Sequence, residues 1–184
     1  MSNEEPQKES NAPDFVIQDG VRCPLNPPWT RKTGIISVLI FSLINILAFL
    51  VLLQTSTVKL IIWLAVLFLM IYPFRYFVCA RCPYYGKPCA FYGLDRLIPR
   101  MFKKQEGRSM KNGFYLDMIS IGFLLLFPLP DMWRYGGALL LIVWLALLTV
   151  FYLHLTLNAC SVCPLTFCPA YQSAARFRKM IGRE

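Results

Sequence analysis

A single histidine, ten acidic side chains and a charged fraction of only 16% leave this 184-residue chain short of the groups that water-facing enzymes use. One imidazole excludes bis-histidine haem ligation, so any metal or redox chemistry must fall to sulfur. No phosphate-cradling glycine loop, Ser-His-Asp arrangement or zinc-hydrolase motif is present. Residues 1–33 have neither the basic n-region nor the apolar h-region of a secretory signal, and neither end carries a lipidation signature. Anchoring is therefore expected from helices alone.

What the chain does have is apolar surface: 57% hydrophobic residues and a mean hydropathy of +0.50 exclude an ordinary water-soluble domain. Long apolar runs, Gly34 to Leu53 and Leu60 to Val78, approach the roughly 20 residues that cross a bilayer as a helix. The expected fold is an all-α membrane protein with spans over 34–54, 59–78, 113–130 and 136–157. Turns are expected at Thr55 to Val58 and around Pro128 to Asp131. The third span is short and contains Asp117, the composition of a re-entrant segment. Three regions result: a polar, largely disordered cytoplasmic tail over 1–33, a first hairpin with its loop over 34–112, and a second over 113–184.

Charge sets the orientation. Sixteen of the nineteen Lys and Arg residues lie before the first span, in the 79–112 loop or after the last span, while the short turns hold only Lys59 and Arg134. The positive-inside rule then puts the N-terminus, central loop and C-terminus in the cytoplasm, with an inner (plasma) membrane as the location. The net charge of +9 flanks these membrane exits and fits an anionic inner leaflet rather than nucleic acid.

The two halves repeat one pattern: hairpin, Cys-x-x-Cys-Pro, a third cysteine, then a basic amphipathic stretch. The first copy is Cys79-Ala-Arg-Cys82-Pro83-Tyr-Tyr-Gly-Lys-Pro-Cys89 and the second Cys160-Ser-Val-Cys163-Pro164-Leu-Thr-Phe-Cys168. Apolar residues at helical spacing follow each (Phe91, Leu94, Ile98, Met101, then Ala174, Phe177, Ile181), with basic residues including Arg100 and Arg183 on other faces. Two intervening residues let both sulfurs of a pair reach one metal or cluster from a single turn, and the third cysteine completes a three-sulfur cup. Arg81 and Lys87 are placed to offset thiolate charge in the first cup. Iron-sulfur clusters are the expected cofactor, with zinc the alternative. Two arrangements stand open. Each triad holds its own centre, with Cys23 or a non-cysteine ligand closing it, or Cys79, Cys82, Cys160 and Cys163 share one site. Recurrence of the third cysteine favours the first.

Plainer explanations accompany these. Juxtamembrane cysteines are common palmitoylation sites, and sensing or redox thiols need no metal. Arg75, Asp117 and His154 are ionisable residues inside the spans, so they are candidates for proton handling near a quinone. Against that, Arg75 can snorkel or pair with Asp117, and a lone bundle histidine is often a satisfied hydrogen-bonder. Trp29, Trp63, Trp133, Tyr72, Tyr76, Tyr84 and Tyr85 fit an interfacial aromatic belt.

Around Arg75-Tyr-Phe-Val-Cys79-Ala-Arg-Cys82-Pro83-Tyr the chain resembles the four-helix membrane iron-sulfur proteins of quinol-oxidising nitrate and nitrous oxide respiration. Those carry paired Cys-Pro motifs at cytoplasmic helix exits. Their membrane motif has three residues between the cysteines, against two here, and they add ferredoxin-like cysteine runs that this sequence does not contain. The string Cys82-Pro-Tyr-Tyr-Gly-Lys-Pro-Cys89 also resembles a signature of uncharacterised prokaryotic membrane proteins. The first resemblance implies electron relay between a membrane quinone or membrane complex and a cytoplasmic redox partner. The rival expectation is a non-enzymatic membrane scaffold or accessory subunit with structural metal, sensing thiols or palmitoylated cysteines.

Overall fold

The computed structural model describes residues 15–91, 93–180 and 182. Expectations for the first fourteen residues, and for Ile181 and Arg183, lie outside the described residues. The described chain is mostly helical, with one antiparallel hairpin, β1 (Phe15–Gln18) and β2 (Val21–Pro24), in which Val16 faces Cys23. The hairpin lies within the stretch expected as a largely disordered tail. Its cause is legible in Asp19-Gly20, whose positive φ values of 50° and 83° are those a two-residue hairpin turn requires.

Helix α1 (Arg31–Thr55) begins at Thr30, whose hydroxyl accepts the Thr33 N–H at 3.2 Å. Ser56 alone turns the chain: its N–H closes α1 on the Leu52 carbonyl, and its hydroxyl accepts the Lys59 N–H that opens α2 (Thr57–Arg81). Pro73 cannot donate to the helical ladder, and α2 passes it through a π-helical turn at Met70–Phe74. After the first cysteine loop come α3 (Leu94–Met101), α4 (Lys111–Leu126), α5 (Leu129–Cys160) and α6 (Pro169–Met180). Helix α5 bends at Gly137, whose φ of 61° and ψ of −155° are not helical, and ends in a second π-helical turn at Leu155–Cys160.

Among the described residues, three helices, α1, α2 and α5, are long and apolar enough to cross a membrane. The third expected span is the exception. It forms a single 16-residue helix ending at Leu126, and Pro130 falls in the first turn of α5. Packing runs α1 to α2, α2 to α4, α4 to α5 and α5 back to α1. The core between them holds Ile44, Ala48, Leu52, Trp63, Leu124, Met132, Trp144 and Phe151. Trp63 and Trp144 donate to the carbonyls of Leu124 and Leu125 at 3.2 and 3.3 Å. These are among the last carbonyls of α4, which have no partner within the helix. Trp63 is thus a core residue rather than a belt residue. Outward faces stay apolar, with Leu139 75%, Ile119 69% and Leu39 64% exposed, far more than water tolerates as a continuous surface.

Candidate functional site

Both cysteine loops leave the bundle at the same end. In each, the second cysteine closes a turn on the first, Cys82 N–H on the Cys79 carbonyl at 3.3 Å and Cys163 N–H on the Cys160 carbonyl at 3.4 Å. Each proline that follows offers no N–H, so the next amide serves the sulfur: Cys82 accepts from the backbone of Tyr84, and Cys163 from that of Leu165. Cys168 stands before α6 and accepts from the amides of Ala170 and Tyr171, the free donors of that helix start.

Cys79, Cys82 and Cys89 lie within electrostatic reach of one another, as do Cys160, Cys163 and Cys168. The two groups meet where Cys82 senses Cys163, and Cys163 also senses Cys23. Cys23 is fully buried, placed by β2 in one apolar layer with Val78, Tyr84, Met110, Leu165 and Cys168. The layer is fastened from several sides. Trp29 donates to the Ala159 carbonyl at 3.1 Å and packs edge-on against Tyr84 at 5.1 Å. Lys87 donates to the Leu25 carbonyl, and the Asp19 carboxylate accepts the Met110 N–H at 3.0 Å. Although burial works against it, that carboxyl is held below its usual range by hydrogen bonds from Ser109, Met110 and Gln18.

Burial pushes the thiols of Cys23, Cys82, Cys163 and Cys168 up, Cys163 to about 12. None of the seven cysteines is in a disulfide, and burial keeps these four protonated at neutral pH. Among the described residues, no three His, Cys, Asp or Glu side chains stand close enough together to grip a metal ion as placed. The donor type is the one thiolate ligation uses, but as placed the sulfurs do not converge on one point.

Arg75 and Asp117 pair as one of the sequence alternatives has it, at 3.1 Å, with side chains 10% and 5% exposed. Arg75 also reaches the Cys79 sulfur, so the charge facing the first cup is Arg75. Arg81 and Lys87 turn elsewhere, Arg81 to the Gln105 side chain and the Ser109 carbonyl. His154 does not join Arg75 and Asp117. Its Nε2 lies 3.3 Å from the Thr33 carbonyl and 3.2 Å from the Ser37 hydroxyl, and Asn158 approaches Nδ1 at 3.4 Å. Because a carbonyl can only accept, Nε2 carries the proton and Nδ1 accepts from Asn158.

Two features escaped the sequence reading. Lys59 grips Asp131 at 2.8 and 3.0 Å, joining the two interhelical turns at the end opposite the cysteines. Among the described residues, the Tyr84 hydroxyl and Asp117 Oδ1 are buried without a hydrogen-bond partner. A lysine and an aspartate in turns that each follow an apolar run were a readable signal for the first. Nothing in the sequence pointed to the second. Comparisons with protein-family models, curated proteins and solved structures found no match to the chain.

Proposed function

We propose that this chain is an integral membrane thiolate-metal protein, with iron-sulfur as the centre, that relays electrons between a cytoplasmic partner and a membrane quinone or membrane complex. The observation that carries this reading is the meeting of two cysteine turns of matched geometry, 81 positions apart, in one buried layer. Lipidation would need accessible sulfur, which buried Cys168 does not offer and the other five juxtamembrane cysteines, half-buried, offer only in part. In this reading α4 crosses the bilayer beside the three longer helices, its Ile119 facing lipid. The halves are duplicated hairpins, and the cysteine end is cytoplasmic by the charge bias. The resemblance to the quinol-oxidising four-helix proteins is consistent with that layout.

When bound, the iron-sulfur group supplies one-electron transfer. The residues of the chain do the rest. Apolar neighbours such as Val78 and Leu165 exclude water, Arg75 offsets thiolate charge, and the amides of Tyr84 and Leu165 hold the two central sulfurs. The basic 96–111 stretch offers an acidic carrier a docking surface. Anaerobically purified protein should be brown and contain iron and acid-labile sulfide, and should lose both in Cys82→Ser and Cys163→Ser.

A second reading draws on the failure of any three ligands to converge among the described residues. It is a scaffold whose thiols, with or without zinc, fasten the loops together. Zinc without sulfide, or metal-free folded protein, would replace the first reading with this one.

A further inference from the structure

Helix α3 turns Ile98 inward, 3% exposed, and leaves Arg96 and Arg100, one turn apart, exposed on its outer side. It stops at Phe102, whose backbone is extended and whose N–H closes on the Ile98 carbonyl at 2.9 Å. The Phe102 carbonyl accepts from the Tyr85 hydroxyl at 2.6 Å. Held in this way, the Phe102 ring lies edge-on to Tyr72 at 5.4 Å and beside Tyr76 at 5.3 Å. Tyr72 in turn stacks on Phe68 at 5.8 Å, and these two rings are 47% and 63% exposed on the outer face of α2. An aromatic column thus runs from the end of α3 along the apolar outside of α2, with exposed Lys103 at its head. Among the described residues the side chains of Arg96, Arg100 and Lys103 make no hydrogen bond or ion pair, whereas the next cation, Lys104, is held by Glu106 at 2.8 Å.

We propose that this is a binding site for one anionic phospholipid of the inner leaflet, with its headgroup on Arg96, Arg100 and Lys103 and an acyl chain along Phe102, Tyr72 and Phe68. The charge and the column point to the same ligand. Three unpaired cations suit a phosphate-bearing headgroup, and exposed rings directly beside them suit the hydrocarbon that hangs from it. Free phosphate would use the cations and leave the column without a partner, and so would an acidic protein. The site rests on the membrane reading above, in which α2 crosses the bilayer with the cysteine end cytoplasmic, and not on the iron-sulfur centre. Arg108 and Lys111, beyond the Gly107 turn, remain for the acidic carrier of that reading.

The test uses the full chain, delipidated in detergent and incubated with dioleoyl phosphatidylglycerol or dioleoyl phosphatidylcholine, with bound lipid counted by native mass spectrometry. Wild type should retain one phosphatidylglycerol in preference to phosphatidylcholine. Arg100→Gln with Lys103→Gln should weaken that retention by roughly fivefold for each charge removed. Tyr72→Leu should weaken it with no change of charge. Arg176→Gln with Lys179→Gln removes the same charge from exposed positions on α6 and should leave retention at the wild-type level. All these positions are exposed, so the variants report on binding rather than folding. Equal loss in the α6 pair would mean attraction by net charge and overturns the site. Absence of any preference between the two lipids in wild type overturns it as well. Ready displacement of the lipid by inorganic phosphate, with Tyr72→Leu behaving as wild type, would leave a phosphate site and no lipid site. If Arg100→Gln with Lys103→Gln keeps the lipid but loses binding of an acidic ferredoxin, the charges belong to the carrier and the proposal falls. Protein that holds neither lipid fails differently, because it removes the membrane reading on which the site rests. Iron content bears on none of these outcomes.

Discussion

Four residues before Cys79 the first loop stands on Arg75, paired with Asp117 inside the bundle, while the matching place before Cys160 holds Thr156, equally buried and uncharged. The helices beneath differ in the same sense. Pro73 forces the π-helical turn of α2 by withholding an N–H. In α5 the turn falls where Asn158 donates to the His154 carbonyl at 3.1 Å and Ser161 to the Leu157 carbonyl at 2.7 Å. Two unrelated devices thus deliver a cysteine pair in the same turn at the same end. Such convergence is hard to explain as packing alone, because only the sulfurs and the amides that serve them are held in common. The charge is not held in common, so the two halves should respond differently to substitution.

The largest difference should come from Arg75→Met. It leaves the Asp117 carboxylate buried without its partner and should cost about 3–5 kcal/mol, read as loss of thermal stability in detergent. Arg75→Met with Asp117→Leu should recover much of it, because the pair's attraction is set against the desolvation of both charges. Thr156→Val, the matching change in the second half, should cost far less. If the two single variants melt alike, the asymmetry between the halves carries no energy.

Raising the pH should weaken both halves together. The thiols of Cys82 and Cys163 lie above their ordinary value of 9.0 in the folded chain, Cys163 at about 12. Between these limits the unfolded chain has lost protons that the folded one retains. Stability of metal-free protein should therefore be flat below about pH 9 and fall, by on the order of a few kcal/mol, as pH rises toward 12. Iron loading removes those protons and should flatten the profile. A metal-free melting curve that does not move over that window would mean the thiols are less shielded than their burial implies.

Gly113 is where α4 meets α2. A Cβ there would stand 2.8 Å from the Phe77 backbone carbon and 2.9 Å from its carbonyl oxygen. Because both are backbone, no side-chain rotation relieves the clash. Gly113→Ala should cost about 1–3 kcal/mol and push Asp117, one turn further along α4, away from Arg75. Gly122, on the same helix, has nothing within 4 Å, and Gly122→Ala should be neutral or slightly stabilising. Equal effects from the two would show that the close approach is not real.

The helices and the paired turns were legible because they depend on local pattern: apolar runs of span length, and Cys-x-x-Cys-Pro twice. The pairing of Arg75 with Asp117 was legible too, since an isolated charge in such a run needs a partner. The hairpin went unread although Asp19-Gly20 announces it, because the surrounding tail has the composition of a disordered segment. What no local pattern could carry is where chain segments meet. Trp63 reads as a belt residue until α4 ends beside it and offers the Leu124 carbonyl. Tyr84 reads the same way until Cys23, 61 positions earlier, is folded over it.

The smallest effect should come from His154, which the sequence grouped with Arg75 and Asp117 as a proton-handling candidate. The structure ties it to α1 through Thr33 and Ser37, with Asn158 behind it, so both ring nitrogens have partners. A histidine held this way joins two helices. His154→Ala should cost about 1 kcal/mol for each hydrogen bond lost without leaving a buried charge, and Ser37→Ala should cost somewhat less. Iron content, reduction potential and the pH dependence of electron exchange between pH 5 and 8 should match wild type in both. A pH profile altered by His154→Ala but not by Ser37→Ala would return the imidazole to the redox path. It would also place a titrating group in the half of the molecule that holds uncharged Thr156 where the other half has Arg75.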